Sequence, residues 1–359
     1  PAGEGRGEGA TGQVADRAPG SPDSPSPNPL PQAGEGYSLA DLAERAARLA
    51  KADLVTGMVG EFPELQGLMG GYYAAAQGEP AEVAEAIRDH YKPVGQGDDV
   101  PTAPVTVAVS LADKLDTLFA FFDIGEFPTG SKDPFALRRS ALASIRLILD
   151  NDLAVLTDAP IEFWLGQSDQ KKELSEIDIQ RRSLITIVLD FLLDRLAVQL
   201  RERGVRHDFV EASRRWGTRD DGRLDRVASR AKALQAFVTT EDGTNLLAGY
   251  KRAANILKKE GFDGTDVGVG GGIYEAEPAE SALIEALDAA EPKAESAIEA
   301  EDFEGAMAAL ATLRAPIDTF FESVIVNDPD PEKRAARLTL LLRMRDAVHK
   351  VADFSRIEG

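Results

Sequence analysis

Apolar residues recur at helical spacing from residue 38 onward, and regular strand alternation is scarce. The first segment opens with the capping-box pattern SLAD at residues 38–41, and Leu42, Ala46 and Leu49 continue one apolar face. Similar segments follow in AEVAEAIRDHY, VTVAVSLADKLDTLFAFF, NLLAGYKRAANILKKEG and PEKRAARLTLLLRMRDAVHKVADF. The periodicity predicts an all-α fold with at least two helical domains.

The start of the chain has a different character. Residues 1–36 contain eight Gly and seven Pro and little that could form a core, so we predict that this segment is disordered. Because residue 1 is Pro rather than Met, we expect a processed, trimmed or fragmentary product. The richest apolar run, residues 184–193, is broken by Asp190 and is shorter than a membrane span. With no secretory segment and no cysteine, these features predict a cytoplasmic protein without a membrane partner.

Charge is distributed unevenly along a chain whose net charge is −21. Residues 274–305 contain eleven Asp or Glu and one Lys, whereas residues 333–350 are basic. The cations of that basic run are Lys333, Arg334, Arg337, Arg343, Arg345 and Lys350. Two interpretations stay open: the arginines bind phosphate, or they form ion pairs with the acidic helices.

A second basic cluster lies in FPTGSKDPFALRR, residues 127–139, where turn-forming residues lead into a helix. Three cations lie at the N-terminal end of this helix: Lys132, Arg138 and Arg139. Helix N-termini and arginines both suit phosphate, so the turn is a candidate contact for an RNA backbone. The alternative is that Asp133 caps the helix and that Arg138 or Arg139 pairs internally.

Catalytic and metal-binding patterns are weak. His90, His207 and His349 are far apart in sequence, and His207-Asp208 has no second histidine nearby. Asp113 and Asp116 share a helix face, which favours a solvated face or a salt bridge over a metal site. The glycine run at 268–272 lacks the Lys and Ser/Thr of a phosphate-binding loop. We therefore predict no catalytic residue, no metal ligand and no bound cofactor in this chain.

The last helix has a clear apolar line that should dock on a neighbouring helix containing Ile317, Phe320 and Phe321. The line consists of Leu341, Met344, Val348 and Val351.

Four collinear stretches, three of them long, resemble the β subunit of the bacterial heterotetrameric glycyl-tRNA synthetase. They are residues 50–74, AKADLVTGMVGEFPELQGLMGGYYA; residues 90–93, HYKP; residues 109–142, which include LADKLDTLFAFFDIGEFPTGSKDPFALRR; and residues 320–357, which include NDPDPEKRAARLTLLLRMRDAVHK. The likeness covers most of residues 38–359. The family's β chain is substantially longer, and its N-terminal portion has no counterpart here.

The resemblance implies a domain organisation. Residues 37–155 would form a degenerate HD-like helical domain, in which LADKLD keeps an aspartate but GEFPELQ stands where a His-Asp pair is expected. Residues 156–240 would form a connecting helical region. Residues 241–359 would form a DALR-type helical-bundle anticodon-binding domain, as in arginyl-tRNA synthetases.

The resemblance also implies a function. The chain would be a tRNA-binding portion of a glycine–tRNA ligase, supporting ATP-dependent attachment of glycine to tRNA-Gly within an α2β2 assembly. ATP and Mg²⁺ would be used by the separate α subunit, and no DNA partner is expected. The residues predicted to contact RNA are Lys132, Arg138, Arg139, Arg334, Arg337, Arg343 and Arg345.

Two other functions stay open at this stage. An active HD-type metal phosphohydrolase would require His90 or His207 to converge on Asp113 or Asp116 around a divalent ion. A helical scaffold that binds only protein would use the acidic helices as its interface.

Overall fold

Fourteen α-helices form the part of the chain that the computed structural model describes. That part comprises residues 37–95, 97–156, 174–214, 222–264 and 275–358, and for residues 174–183 only the backbone is described. No strand occurs within these ranges, and Thr129 and Lys132 form an isolated β-bridge. The all-α prediction is confirmed. The predicted disordered segment 1–36 and the glycine run 268–272 lie outside the described residues.

The helices of the first half are α1 Leu39–Leu49, α2 Gly57–Glu61, α3 Leu68–Ala76, α4 Ala81–Asp89, α5 Pro104–Asp123, α6 Leu137–Asp150, α7 Leu174–Glu202 and α8 His207–Ser213. Those of the second half are α9 Leu224–Val238, α10 Glu241–Glu260, α11 Pro278–Glu299, α12 Phe303–Ala311, α13 Arg314–Ser323 and α14 Pro331–His349. Short 3₁₀ turns cover Ala52–Val55, Pro63–Leu65 and Phe354–Arg356.

The first six helices assemble around α5, against which α1, α4 and α6 pack. A tertiary cap fixes where α3 begins: one carboxylate oxygen of Asp53 accepts hydrogen bonds from the backbone N–H groups of Gly67 and Gly70, at 2.6 and 3.1 Å. At Gly71, a Cβ atom would lie 2.8 Å from Cβ of Arg88 on α4. The glycines of GLMGG therefore permit the close approach of α3 to α4.

The C-terminal helices pack around α10 and α11. Helix α14 packs mainly on α10 and on α11, and α13 packs on the same two helices. The predicted apolar line of α14 is fully buried, but its main neighbours are α10 and α11, so the predicted docking on the helix of Ile317 is corrected. The helical stretch that begins at Phe303 divides into α12 and α13, because Pro316 is tolerated only in the first turn of a new helix.

A continuous buried cluster extends from Val107 on α5 to Ile357 near the end of the described chain. Side chains from α5 through α14 contribute to it, so the core crosses the sequence boundaries predicted at residues 155 and 240. As limits of domains, those boundaries stay predictions. Within the described ranges, no helix is both long enough and apolar enough to cross a membrane.

Candidate nucleic-acid interface

Arg337, one of the predicted RNA contacts, is buried in the C-terminal helices, with its side chain only 2 % exposed. Its guanidinium lies 2.6 Å from Glu280, 2.6 Å from Glu277 and 2.8 Å from Asp328. A buried cation requires such partners, because desolvating an unpaired charge is very costly. The prediction that Arg337 contacts RNA is therefore corrected: this residue joins the start of α11 to α14.

Two further arginines of α14 are paired with carboxylates. Arg343 lies 2.9 Å from Glu291 and 2.6 Å from Asp288, and hydrogen bonds to these carboxylates raise the pKa of Arg343. Arg334 pairs with Glu260 at the end of α10. For Arg337 and Arg343, the geometry agrees with the alternative of pairing with the acidic helices. Because their N–H groups already donate to carboxylates, these two guanidinium groups have fewer hydrogen bonds to donate to a phosphate.

Arg345 is placed differently. It pairs only with its exposed neighbour Asp346 among the described residues, at 2.8 Å, and it lines an open cavity of about 390 Å³ between α10 and α14. Lys258 contributes a second cation and Asp263 a carboxylate, while Phe262 supplies a half-buried ring. The full lining consists of Tyr250, Ala254, Leu257, Lys258, Gly261, Phe262, Asp263, Arg345, His349 and Ser355. We call this cavity the α10–α14 pocket.

The floor of the α10–α14 pocket is uncharged near neutral pH. The hydroxyl of Tyr250 lies 2.6 Å from Nε2 of His349. Burial raises the pKa of Tyr250 to about 12, and burial lowers the pKa of His349. The hydroxyl and the neutral imidazole therefore form an uncharged hydrogen-bonded pair, and the positive charge of the pocket comes from Lys258 and Arg345. Such a pocket suits a nucleotide, because cations bind its phosphate while rings and hydrogen-bonding groups bind its base.

Sequence reasoning identified Arg345 but missed the other members of the α10–α14 pocket. Tyr250 and His349 are 99 residues apart, and nothing in their local spacing shows that they meet. The available signal was the end of α10, where Lys258 and Lys259 precede Gly261 and Phe262. A helix that ends in cations and an aromatic residue could have been noted as a candidate RNA contact.

The turn before α6 is held by its own polar groups. The carboxylate of Asp133 accepts hydrogen bonds from the backbone N–H groups of Leu137 and Arg138, at 2.8 and 3.0 Å. The Arg138 guanidinium donates to the carbonyl oxygens of Gly130 and Lys132, at 2.8 and 3.3 Å. Asp133 thus caps the helix, and Arg138 stabilises the turn. Lys132 and Arg139 are exposed and have no ion pair among the described residues.

The HD-like region contains a compact polar cluster. Lys51 Nζ lies 2.9 Å from a carboxylate oxygen of Asp113 and 3.0 Å from Nε2 of the buried His90. Burial, and then the charge of Lys51, lower the pKa of His90. A metal phosphohydrolase would require His90 and Asp113 to converge on a divalent ion. Both residues do approach one point, but the ammonium group of Lys51 lies between them. His207 lies on α8, where its nearest charged partner is Glu211 at 4.0 Å.

Large apolar side chains are exposed mainly in the first third of the described chain. Residues 52–76 expose Val55 (90 %), Tyr72 (63 %), Leu54, Met58, Phe62 and Leu68. These residues lie on neighbouring short elements from Ala52 to α3, and we call them the apolar surface. No Lys or Arg occurs from residue 52 to residue 87, whereas Glu61 and Glu64 lie within it. Such a surface suits a protein partner and repels a phosphate backbone.

Two family models match the chain. Residues 30–215 match the glycyl-tRNA synthetase beta subunit, and residues 246–354 match the DALR anticodon binding domain. The second match contains the whole α10–α14 pocket apart from Ser355. The first contains Lys51, the turn before α6 and the apolar surface.

The curated relatives agree with both matches. The chain is 51 % identical over 318 residues to the glycine–tRNA ligase beta subunit of Phenylobacterium zucineum, covering 88 % of this chain and 44 % of that protein. It is 51 % identical over 323 residues to that of Ruegeria sp., covering 89 % and 44 %, and 51 % identical to that of Rhodospirillum centenum, covering 88 % and 43 %. The chain thus spans less than half the length of these relatives. It belongs to the glycyl-tRNA synthetase beta subunit family.

Proposed function

We propose that this chain is the tRNA-binding part of a glycine–tRNA ligase β subunit and supports the attachment of glycine to tRNA-Gly. The observation that carries the proposal is the α10–α14 pocket, which lies within the match to an anticodon binding domain. Lys258 and Arg345 stand at an open cavity large enough for a base. We assign this pocket to the anticodon end of the tRNA.

Lys132 and Arg139 provide a second contact in this proposal. Both are exposed at a turn that is ordered by Asp133 and Arg138, so binding would not have to order the loop. We assign them to the tRNA backbone in the acceptor half. Arg334 and Arg343 already pair with carboxylates, so we give them a smaller role at the rim of the site.

The partner subunit forms the second part of the proposal. We infer that the apolar surface of residues 52–76 docks an α subunit, which would carry ATP, Mg²⁺ and the glycine activation step in a cytoplasmic α2β2 enzyme. Two features support this: the surface exposes several large apolar side chains, and it lacks cations that could bind RNA phosphate. This chain itself would bind no cofactor and catalyse no step.

The test is binding of the chain to tRNA-Gly and to one unrelated tRNA across a salt series. Four phosphate contacts, from Lys132, Arg139, Lys258 and Arg345, predict a log–log salt slope of about −3. The affinity for tRNA-Gly should then fall by roughly 60-fold between about 50 and about 200 mM salt. We expect tighter binding of tRNA-Gly than of the unrelated tRNA. Absence of binding at the lowest salt concentration would contradict the proposal.

A further inference from the structure

Three groups that attract cations surround the ammonium group of Lys51. Nζ lies 3.0 Å from Nε2 of His90, 2.9 Å from a carboxylate oxygen of Asp113 and 3.9 Å from the centroid of the Tyr91 ring. Lys51 follows α1, His90 and Tyr91 follow α4, and Asp113 lies on α5. The Lys51 ammonium, at the end of α1, thus contacts side chains at the end of α4 and on α5.

The imidazole of His90 is oriented to receive a cation. Its Nδ1 lies 2.7 Å from the carbonyl oxygen of Ile87, and a carbonyl oxygen can only accept a hydrogen bond. Nδ1 therefore carries the proton, and Nε2 directs its lone pair at Lys51. A histidine that ligates a metal is held in the same way, with its other ring nitrogen fixed by a carbonyl or carboxylate. The side chain is fully buried, so water does not compete for Nε2.

Other charges near the cluster are already engaged. The ammonium of Lys114 donates to the carbonyl oxygens of His90, Tyr91 and Lys92 at 3.1–3.3 Å, and to the hydroxyl of Ser110 at 2.9 Å. Asp116, one turn beyond Asp113 on α5, is exposed. Within the described ranges, no three His, Cys, Asp or Glu side chains group closely enough to hold a metal ion. Lys51 is therefore the cation that His90 and Asp113 share.

We propose that His90, Asp113 and Tyr91 form a cation site whose occupant is the chain's own Lys51 ammonium, in place of an external metal ion. The imidazole nitrogen and the carboxylate are donors that a divalent ion would use, and the aromatic face favours an organic ammonium. A tethered cation keeps α1, α4 and α5 joined without any bound ion. The site is thus structural. Removal of the Lys51 ammonium should leave a vacancy that a small external ammonium can fill.

The test uses Lys51→Ala, which removes the amine and most of its stem. We expect its melting temperature to lie roughly 5 °C below that of the wild type. Added n-propylammonium should restore part of this loss with a saturable concentration dependence, while n-propanol and sodium chloride at equal concentration should not. The wild type and Lys51→Met, whose apolar stem fills the vacancy, should show no such rescue. If Lys51→Met is as stable as the wild type, or if propanol rescues equally well, the proposal is wrong.

A second measurement is independent of whether Lys51→Ala folds. In ¹⁵N-histidine NMR spectra of the wild-type chain, the resonances lost in His90→Gln report the tautomer of His90. We expect a protonated Nδ1 and an unprotonated Nε2 near neutral pH. A protonated Nε2 would mean that this nitrogen cannot accept from Lys51, and would overturn the assignment.

Discussion

The Arg337→Met variant is expected to unfold roughly 6–15 °C below the wild type, which corresponds to a loss of ~3–5 kcal/mol. The reason is the burial of its partner Glu280, whose side chain is 3 % exposed. Without the guanidinium, the buried Glu280 carboxylate would lose its ion pair at 2.6 Å. Glu277 and Asp328 would lose the same partner, and the carbonyl of Ile325 would lose a hydrogen bond at 2.8 Å.

The matched control is Arg345→Met on the same helix. Arg345 is 30 % exposed and pairs with the neighbouring exposed Asp346, so its loss should cost less than ~1 kcal/mol. Arg337→Lys should recover little of the stability, because an ammonium cannot satisfy three carboxylates with the geometry of a guanidinium. Thermal unfolding followed by circular dichroism measures all three variants. Equal stability of Arg337→Met and Arg345→Met would show that Arg337 is not the ion-pair centre of this helical region.

The Val55→Asp variant is expected to weaken binding of the α subunit by about 30-fold, or ~2 kcal/mol. Val55 is 90 % exposed, so an aspartate there costs little in the unbound chain. At an apolar interface it would bury a charge without a partner. The measurement is the dissociation constant of this chain with the α subunit of a related glycine–tRNA ligase.

Ile325→Asp serves as the control for this change. Ile325 is 74 % exposed but lies between α13 and α14, outside the apolar surface. It carries the same change from an apolar to a charged side chain, and we expect unchanged binding of the α subunit. If Val55→Asp binds the α subunit as tightly as Ile325→Asp does, the apolar surface is not the docking site.

The helices themselves could be predicted from sequence because their signals are local. The segment NLLAGYKRAANILKKEG predicts a helix, and it lies in α10, which covers Glu241–Glu260 with Thr240 as its N-cap and Gly261 after its end in the left-handed conformation. The all-α class and the family membership followed from patterns of this kind and from long collinear matches.

The roles of the individual arginines could not be predicted, because their partners come from distant parts of the chain. Arg337 and Arg345 lie eight residues apart on α14, but one is buried among the carboxylates of Glu277, Glu280 and Asp328 and the other lines an open cavity. Spacing along a helix shows which of its residues share a face. It does not show which residues of other helices pack against that face. The same limit applies to Lys51 and Asp113, which are neighbours only after α1 has packed on α5.

The central claim, that the α10–α14 pocket binds tRNA, is tested most directly by a double charge reversal. Lys258→Glu with Arg345→Glu should weaken binding of tRNA-Gly by tenfold or more, which is at least ~1.4 kcal/mol, and should make the salt slope less steep by about 2. The control is Lys232→Glu with Lys293→Glu, an equal charge change at two exposed lysines outside the pocket. We predict that only the pocket variant loses affinity while both keep the wild-type melting temperature. Equal affinity of the two folded double variants for tRNA-Gly would contradict the account.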